Sequence, residues 1–187
     1  KWKEKDMPGS GILYDLGAHL IDQALCVFGT PNEIFADIRK QRPNSKTDDY
    51  FELILNYNQV KVTLKAGMLV KEKEPHFVIK GSEGSFIKYG MDVQEESLSK
   101  GLKPSRTDIW GMEPEENWGI LNTKLNDLDF RGKIKSLPGS YQVFYENVRD
   151  TILGKKDILV KPEEARDVIK IIELAQKSHN ERRWIKI

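Results

Sequence analysis

Three residues near the start of the sequence, Asp15, His19 and Asp22, are of types that move protons or bind metals. Their spacing aligns them. On a helix with Asp15 at zero, His19 falls at about 40°, Asp22 at about 340° and Cys26 at about 20°. Leu13, Leu16, Leu20, Ala24 and Phe28 gather on the opposite side, supported by Ile21 and Leu25. A solvent-facing stripe in a chain with 32% charged residues ordinarily carries Lys, Glu or Arg. Between Ile12 and Pro31 there is none, and the only full charges are two Asp bracketing a His. Such a face suits contact with something other than bulk water.

Three chemistries fit that stripe. His19 can act as a general acid/base near neutral pH, oriented or tuned by a carboxylate. Asp15, His19 and Asp22 can serve as metal ligands, given a further ligand from elsewhere. An Asp–His pair four residues apart can also simply support a surface helix, by a few tenths of a kcal/mol.

Composition narrows the partners. The 187 residues include 30 basic and 29 acidic side chains, a net charge of +1. Nucleic-acid surfaces and polybasic membrane anchors need clustered Lys and Arg, so neither partner is expected. About 70% of the unfolded surface can be buried at this size. Cys26 is the only cysteine, which excludes an intrachain disulfide and Cys-rich zinc sites and fits a cytoplasmic setting. No apolar run is long enough to span a membrane. The chain opens on Lys1-Trp2-Lys3-Glu4-Lys5-Asp6, charged and without Met, with no apolar signal-peptide stretch behind it. We take this as a start near a domain boundary, with residues 1–187 forming one domain.

The elements that must position the stripe follow from the same sequence. Pro8-Gly9-Ser10-Gly11 is a turn with Ser10 as the expected N-cap, and Gly29-Thr30-Pro31 ends the helix. Strands are expected at 33–39, 50–57 and 60–68, the last two joined at Asn58-Gln59. Residues 76–80 and 85–89 flank the turn Gly81-Ser82-Glu83-Gly84, and 93–100 reads as a short helix. Residues 101–118, with Trp110 and Trp118, are the least regular, and 120–123 and 130–135 are weak strands. A helix through Tyr141, Phe144, Tyr145, Val148 and Ile152 ends at Gly154, and Pro162 opens another with Ala165, Val168, Ile169, Ile172 and Ala175 inward. Residues 184–187 can add a last strand. His76 and His179 read as structural. The fold class is α+β: an open, mixed, mostly antiparallel sheet with helices packed on one face. The other face is solvated or covered by a partner.

The stretch Gly9-Ser10-Gly11-Ile12-Leu13-Tyr14-Asp15-Leu16-Gly17-Ala18-His19-Leu20-Ile21-Asp22-Gln23 closely resembles a family signature. The family is that of glucose–fructose oxidoreductase, inositol dehydrogenase and MocA, and the match is to the start of its C-terminal domain. Gly29-Thr30-Pro31, Asp49-Tyr50-Phe51, Gly81-Ser82, the segment Phe86-Ile87-Lys88-Tyr89-Gly90 and Pro162-Glu163-Glu164-Ala165 look similar too. The resemblance covers nearly the whole chain, and is strongest to the subgroup holding NADP-dependent scyllo-inositol dehydrogenases.

The resemblance implies hydride transfer between a sugar or polyol and NAD or NADP. By the same resemblance His19 matches the proton-transfer residue and Asp15 the carboxylate four residues before it. Tyr14 and Asp22 are then the substrate-binding candidates. The family binds its cofactor mainly through an N-terminal Rossmann domain, whose GxGxxG and EKP motifs are absent from these 187 residues. No cofactor-binding or metal residue is therefore expected within the chain, and alone it is expected to be inactive. The open sheet is the implied homo-oligomer interface. Two alternatives from other classes are a non-catalytic oligomerisation or sugar-binding module, and a metal-dependent lyase or hydrolase using Asp15 and His19.

Overall fold

The structure, a computed structural model, describes residues 4–104 and 110–187. In chain order, a π-helical turn Leu13–Gly17 leads into α1 (Ala18–Phe28), then β1 (Glu33–Arg39), β2 (Tyr50–Asn56), β3 (Lys61–Gly67), β4 (Phe77–Lys80) and β5 (Gly84–Lys88). There follow α2 (Gln94–Ser99), β6 (Gly119–Leu125), β7 (Leu128–Ile134), α3 (Tyr141–Ile152), α4 (Pro162–Glu181) and β8 (Ile185–Lys186). These form two compact units, one of residues 1–71 with 160–187 and one of residues 72–159. The fold is α+β, with two open four-stranded sheets ordered β3-β2-β1-β8 and β4-β5-β6-β7. Every strand pairing among the described residues is antiparallel.

The first unit carries the core. Strand side chains alternate between faces, so Ile34 and Ala36 of β1 and Phe51, Leu53 and Leu55 of β2 share one face, each at most 2% exposed. Ile21 and Ala24 of α1 and Val168, Ile171, Ile172 and Ala175 of α4 cover them. The opposite face shows Glu33, Phe35 and Asp37 beside Asn56, Ile54 and Glu52. The turn at Asn58-Gln59 closes as expected, Tyr57 N donating to Val60 O at 2.8 Å. Pro162 is the first residue of α4, where its missing amide costs nothing. The Glu164 carboxylate accepts from Lys161 N at 2.8 Å.

In the second unit the Gly81–Gly84 turn joins β4 to β5. β6 and β7 are longer than the sequence pattern suggested. They meet at Asn126-Asp127, both with positive φ, the backbone of a two-residue hairpin turn that matches strand twist. Gln94 is fully buried at the start of α2. Its side-chain oxygen accepts from Trp110 Nε1 and from Tyr141 N, each at 3.0 Å, tying three segments together. Trp118 Nε1 donates to Glu113 O. Both tryptophans are thus anchored by packing and hydrogen bonds, while residues 105–109 of that loop lie outside the described residues.

Candidate active site

The site helix is launched by a residue far along the chain. Ile12 N donates to Asp48 O at 3.1 Å, and Leu13 N donates to Asp48 Oδ2 at 2.7 Å. The expected cap, Ser10, does other work. Its hydroxyl donates to Met7 O at 2.6 Å and accepts from Met7 N, closing the preceding turn. The helix amides are reached instead from the β1–β2 loop. Burial pushes the Asp48 carboxyl above its ordinary pKa, while the Leu13 and Ile12 amides pull the other way.

The first turn is π-helical, from Leu13 to Gly17. Gly17 is buried against β2: a Cβ there would lie 2.9 Å from Leu13 Cδ1 and 3.4 Å from Phe51 Cζ. A π turn, bonded i to i+5, takes more residues than an α turn. The angular offset between Asp15 and His19 therefore falls below the roughly 40° of a regular helix. Single π turns inside helices recur at functional sites.

His19, Asp22 and Cys26 are exposed and Asp15 is half-buried, opposite the buried Leu13, Gly17, Ile21 and Ala24. Tyr14 is half-buried and packs against the core cluster. Four residues expected to face inward do not: on α4 Ala165 and Ile169 are exposed, where Ile171 takes the buried place instead, and on this helix Leu16 is 43% and Phe28 39% exposed. The buried side is centred on Gly17 and Ile21, which rotates Leu16 outward to flank the polar stripe. Phe28 packs on the Tyr57 ring. Desolvation, with Asp22 and Glu164 nearby, pushes the Cys26 thiol up, which disfavours a thiolate nucleophile there.

No group of three or more His, Cys, Asp or Glu side chains among the described residues is placed to hold a metal. A metal on Asp15 and His19 would need ligands from elsewhere. His179 lies on α4, where Nδ1 accepts from Ile38 N at 3.1 Å, and His76 stacks edge-on against Phe77. A cavity of about 420 Å³ lies in the second unit, lined by residues of α3 and the loop after it, none from the site helix. Sequence reasoning missed Asp48, since nothing local distinguishes it from Asp49 beside it.

Comparison with known proteins places the chain in a family. A profile described as "Oxidoreductase family, C-terminal alpha/beta domain" matches residues 1–187. The chain is 40% identical, over 185 residues, to scyllo-inositol 2-dehydrogenase (NADP(+)) IolW of Bacillus subtilis, covering 99% of this chain and 51% of that protein. It is 36% identical to the uncharacterized oxidoreductase YdgJ of Escherichia coli, covering 97% and 52%. A solved candidate oxidoreductase, yvaA of Bacillus subtilis, superposes with a TM-score of 0.93 at 39% identity, covering 98% of this chain and 53% of that one. The chain thus spans about half the length of the curated relatives it matches. By the profile match over its whole length, the chain belongs to the oxidoreductase family of glucose–fructose oxidoreductase, inositol dehydrogenase and MocA, and corresponds to that family's C-terminal alpha/beta domain.

Proposed function

We propose that this chain is the substrate-facing half of a cytoplasmic, nicotinamide-dependent sugar or polyol dehydrogenase. One observation carries the proposal: a helix with no Lys, Arg or Glu presents Asp15, His19 and Asp22 outward, beside an exposed Leu16. A mixed polar and apolar surface of this kind suits a hydroxylated substrate and an aromatic ring better than open water. The name of the relative, a scyllo-inositol dehydrogenase using NADP(+), supports the substrate class.

Among the described residues, the start of the site helix does not suit a dinucleotide pyrophosphate. A helix N-terminus behind a Gly-rich turn is the usual cradle for it, but here the Asp48 carboxylate already fills that end. NAD or NADP is therefore held by a separate dinucleotide-binding domain, and these 187 residues alone neither bind it tightly nor turn over. When bound there, the nicotinamide supplies the hydride acceptor. His19 takes the proton of the substrate hydroxyl as the carbinol carbon gives up its hydride, and returns it in the reverse direction. Asp15 orients the imidazole or the substrate, and Asp22 and Tyr14 border the substrate. Copies pair through the open face of the first sheet, where the rings of Phe35 and Trp184 meet at a tilt, 5.6 Å between centroids.

In the full-length protein, His19→Ala is expected to lower kcat on the order of 10²-fold or more. The assay follows nicotinamide reduction over a panel of inositols and hexoses. Near-normal turnover by the variant would return the stripe to an ordinary surface helix.

A further inference from the structure

We infer that Asp48 is a positioning residue for this site: its carboxylate and carbonyl fix where the site helix begins, and so where Asp15 and His19 stand. The inference rests on the reading of His19 given above.

A helix start leaves its first amides without internal partners. Asp48 alone meets two of them, Ile12 N through its carbonyl and Leu13 N through Oδ2. It does so from 35 residues away, so the register of the helix start is tied to the sheet and not to its own flanking turn. Gly11 shows how closely the carboxylate is seated. A Cβ at Gly11 would fall 2.0 Å from Asp48 Oδ1. Gly11 O in turn accepts from Asp15 N at 3.1 Å, so the residue that touches the carboxylate also bonds the proposed catalytic Asp15. The turn being held is π-helical, a form that is rare and occurs mostly as single turns within α-helices. Asp48 is itself fixed by its neighbour. Asp49 is 1% exposed and takes the amides of Gln41 and Arg42, locking the loop that carries both.

An ordinary cap would stabilise the helix and leave catalysis alone. A positioning residue moves kcat, and the loss is undone by any side chain that still accepts from Leu13 N. The test compares Asp48→Ala and Asp48→Asn in the full-length protein, by steady-state kinetics and by amide hydrogen exchange over residues 12–17. Asp48→Ala is expected to speed exchange there and to lower kcat about 10- to 100-fold with KM little changed. Asp48→Asn, whose amide oxygen still accepts, is expected to restore most of both. Wild-type kcat despite faster exchange overturns the inference, as does unchanged exchange. Should Asp48→Ala fail to fold, Asp48→Glu replaces it: a fall in kcat at constant KM supports the inference and wild-type kcat overturns it. His19→Ala is run beside them. If that variant turns over normally, the functional reading fails, and the exchange data alone decide whether Asp48 holds the helix start.

Discussion

The buried Ser178 hydroxyl accepts the Ala36 amide at 3.1 Å and donates to the Arg183 carbonyl at 2.7 Å, so the end of α4 completes the edge of β1. β8 pairs with β1 only at Glu33 and Ile34. Beyond it, the amides of Ala36 and Ile38 would point at nothing, and Ser178 Oγ and His179 Nδ1 take them. An uncovered edge is both a desolvation cost and a template for wrong pairing. Ser178→Ala strands the Ala36 amide and is expected to cost about 1–3 kcal/mol. The urea midpoint measures it. A shift within error would mean that the amide finds another partner.

Asp49 is expected to set the acid limit of the first unit. Burial alone would raise its carboxyl. The amides of Gln41 and Arg42 and the Arg42 guanidinium, at 2.6, 2.9 and 3.0 Å, outweigh this and hold it below the usual carboxylate range. A carboxyl depressed on folding stabilises above its unfolded pKa, about 3.9, and that contribution fades as pH falls through the lower, folded value. Asp49→Asn is expected to cost about 2 kcal/mol at pH 7 and to flatten the stability profile on the acid side of the unfolded pKa. Parallel pH profiles of wild type and variant would show that another group governs acid unfolding.

In the second unit, Lys88 Nζ donates to Glu113 at 2.5 Å and to Asn117 O at 2.8 Å, with the two side chains only 16% and 8% exposed. Burial raises the Glu113 carboxyl, but the bonds from Lys88 and Ser136 and the Lys88 charge bring it below its ordinary value. Glu113→Ala leaves a buried ammonium without its counter-charge and is expected to cost about 3 kcal/mol. Adding Lys88→Met should recover most of that loss, since an apolar replacement needs no partner. Burial and the Lys88 charge also hold the His76 imidazole down, so Lys88→Met should raise its pKa in an NMR titration. Additive losses in the two single variants and the double would dissolve the pairing.

Much of this was legible locally. Alternation marked β1 to β3, Gly and Pro punctuation marked the helix ends, and the Asp15–His19–Asp22 stripe stood out by the charges it lacked. What was hidden depends on contacts distant in sequence. Ser10 looked like the cap because capping is normally local, whereas Asp48 reaches the helix through the fold. The π turn has no sequence signal of its own; it accompanies the close seat of Gly17 on Phe51. That seat also turns Leu16 outward, which a regular 100° wheel cannot show. β7 alternates in sequence, Leu128, Phe130, Gly132 and Ile134 against Asp129, Arg131 and Lys133, but it is mostly exposed, so burial does not mark where it begins. The turn that starts it, Asn126-Asp127, carries a local signal, since Asn and Asp tolerate the positive φ found at both positions.

Two glycines of one turn separate backbone strain from the Asp48 contact. Gly9 has φ +79° and Gly11 φ +95°, conformations that an alanine adopts at a cost of roughly 1–2 kcal/mol. A Cβ on Gly9 meets nothing within 4 Å, whereas one on Gly11 would strike Asp48 Oδ1. Gly9→Ala is therefore expected to cost the strain alone. Gly11→Ala should cost about 1–3 kcal/mol more, because it also dislodges the carboxylate that caps Leu13. In an Asp48→Ala background the carboxylate is gone, and the excess of Gly11→Ala over Gly9→Ala should shrink toward zero. Denaturant unfolding of the six proteins in this comparison measures it. An excess that survives removal of Asp48 would assign the tight fit at Gly11 to the backbone and not to the cap.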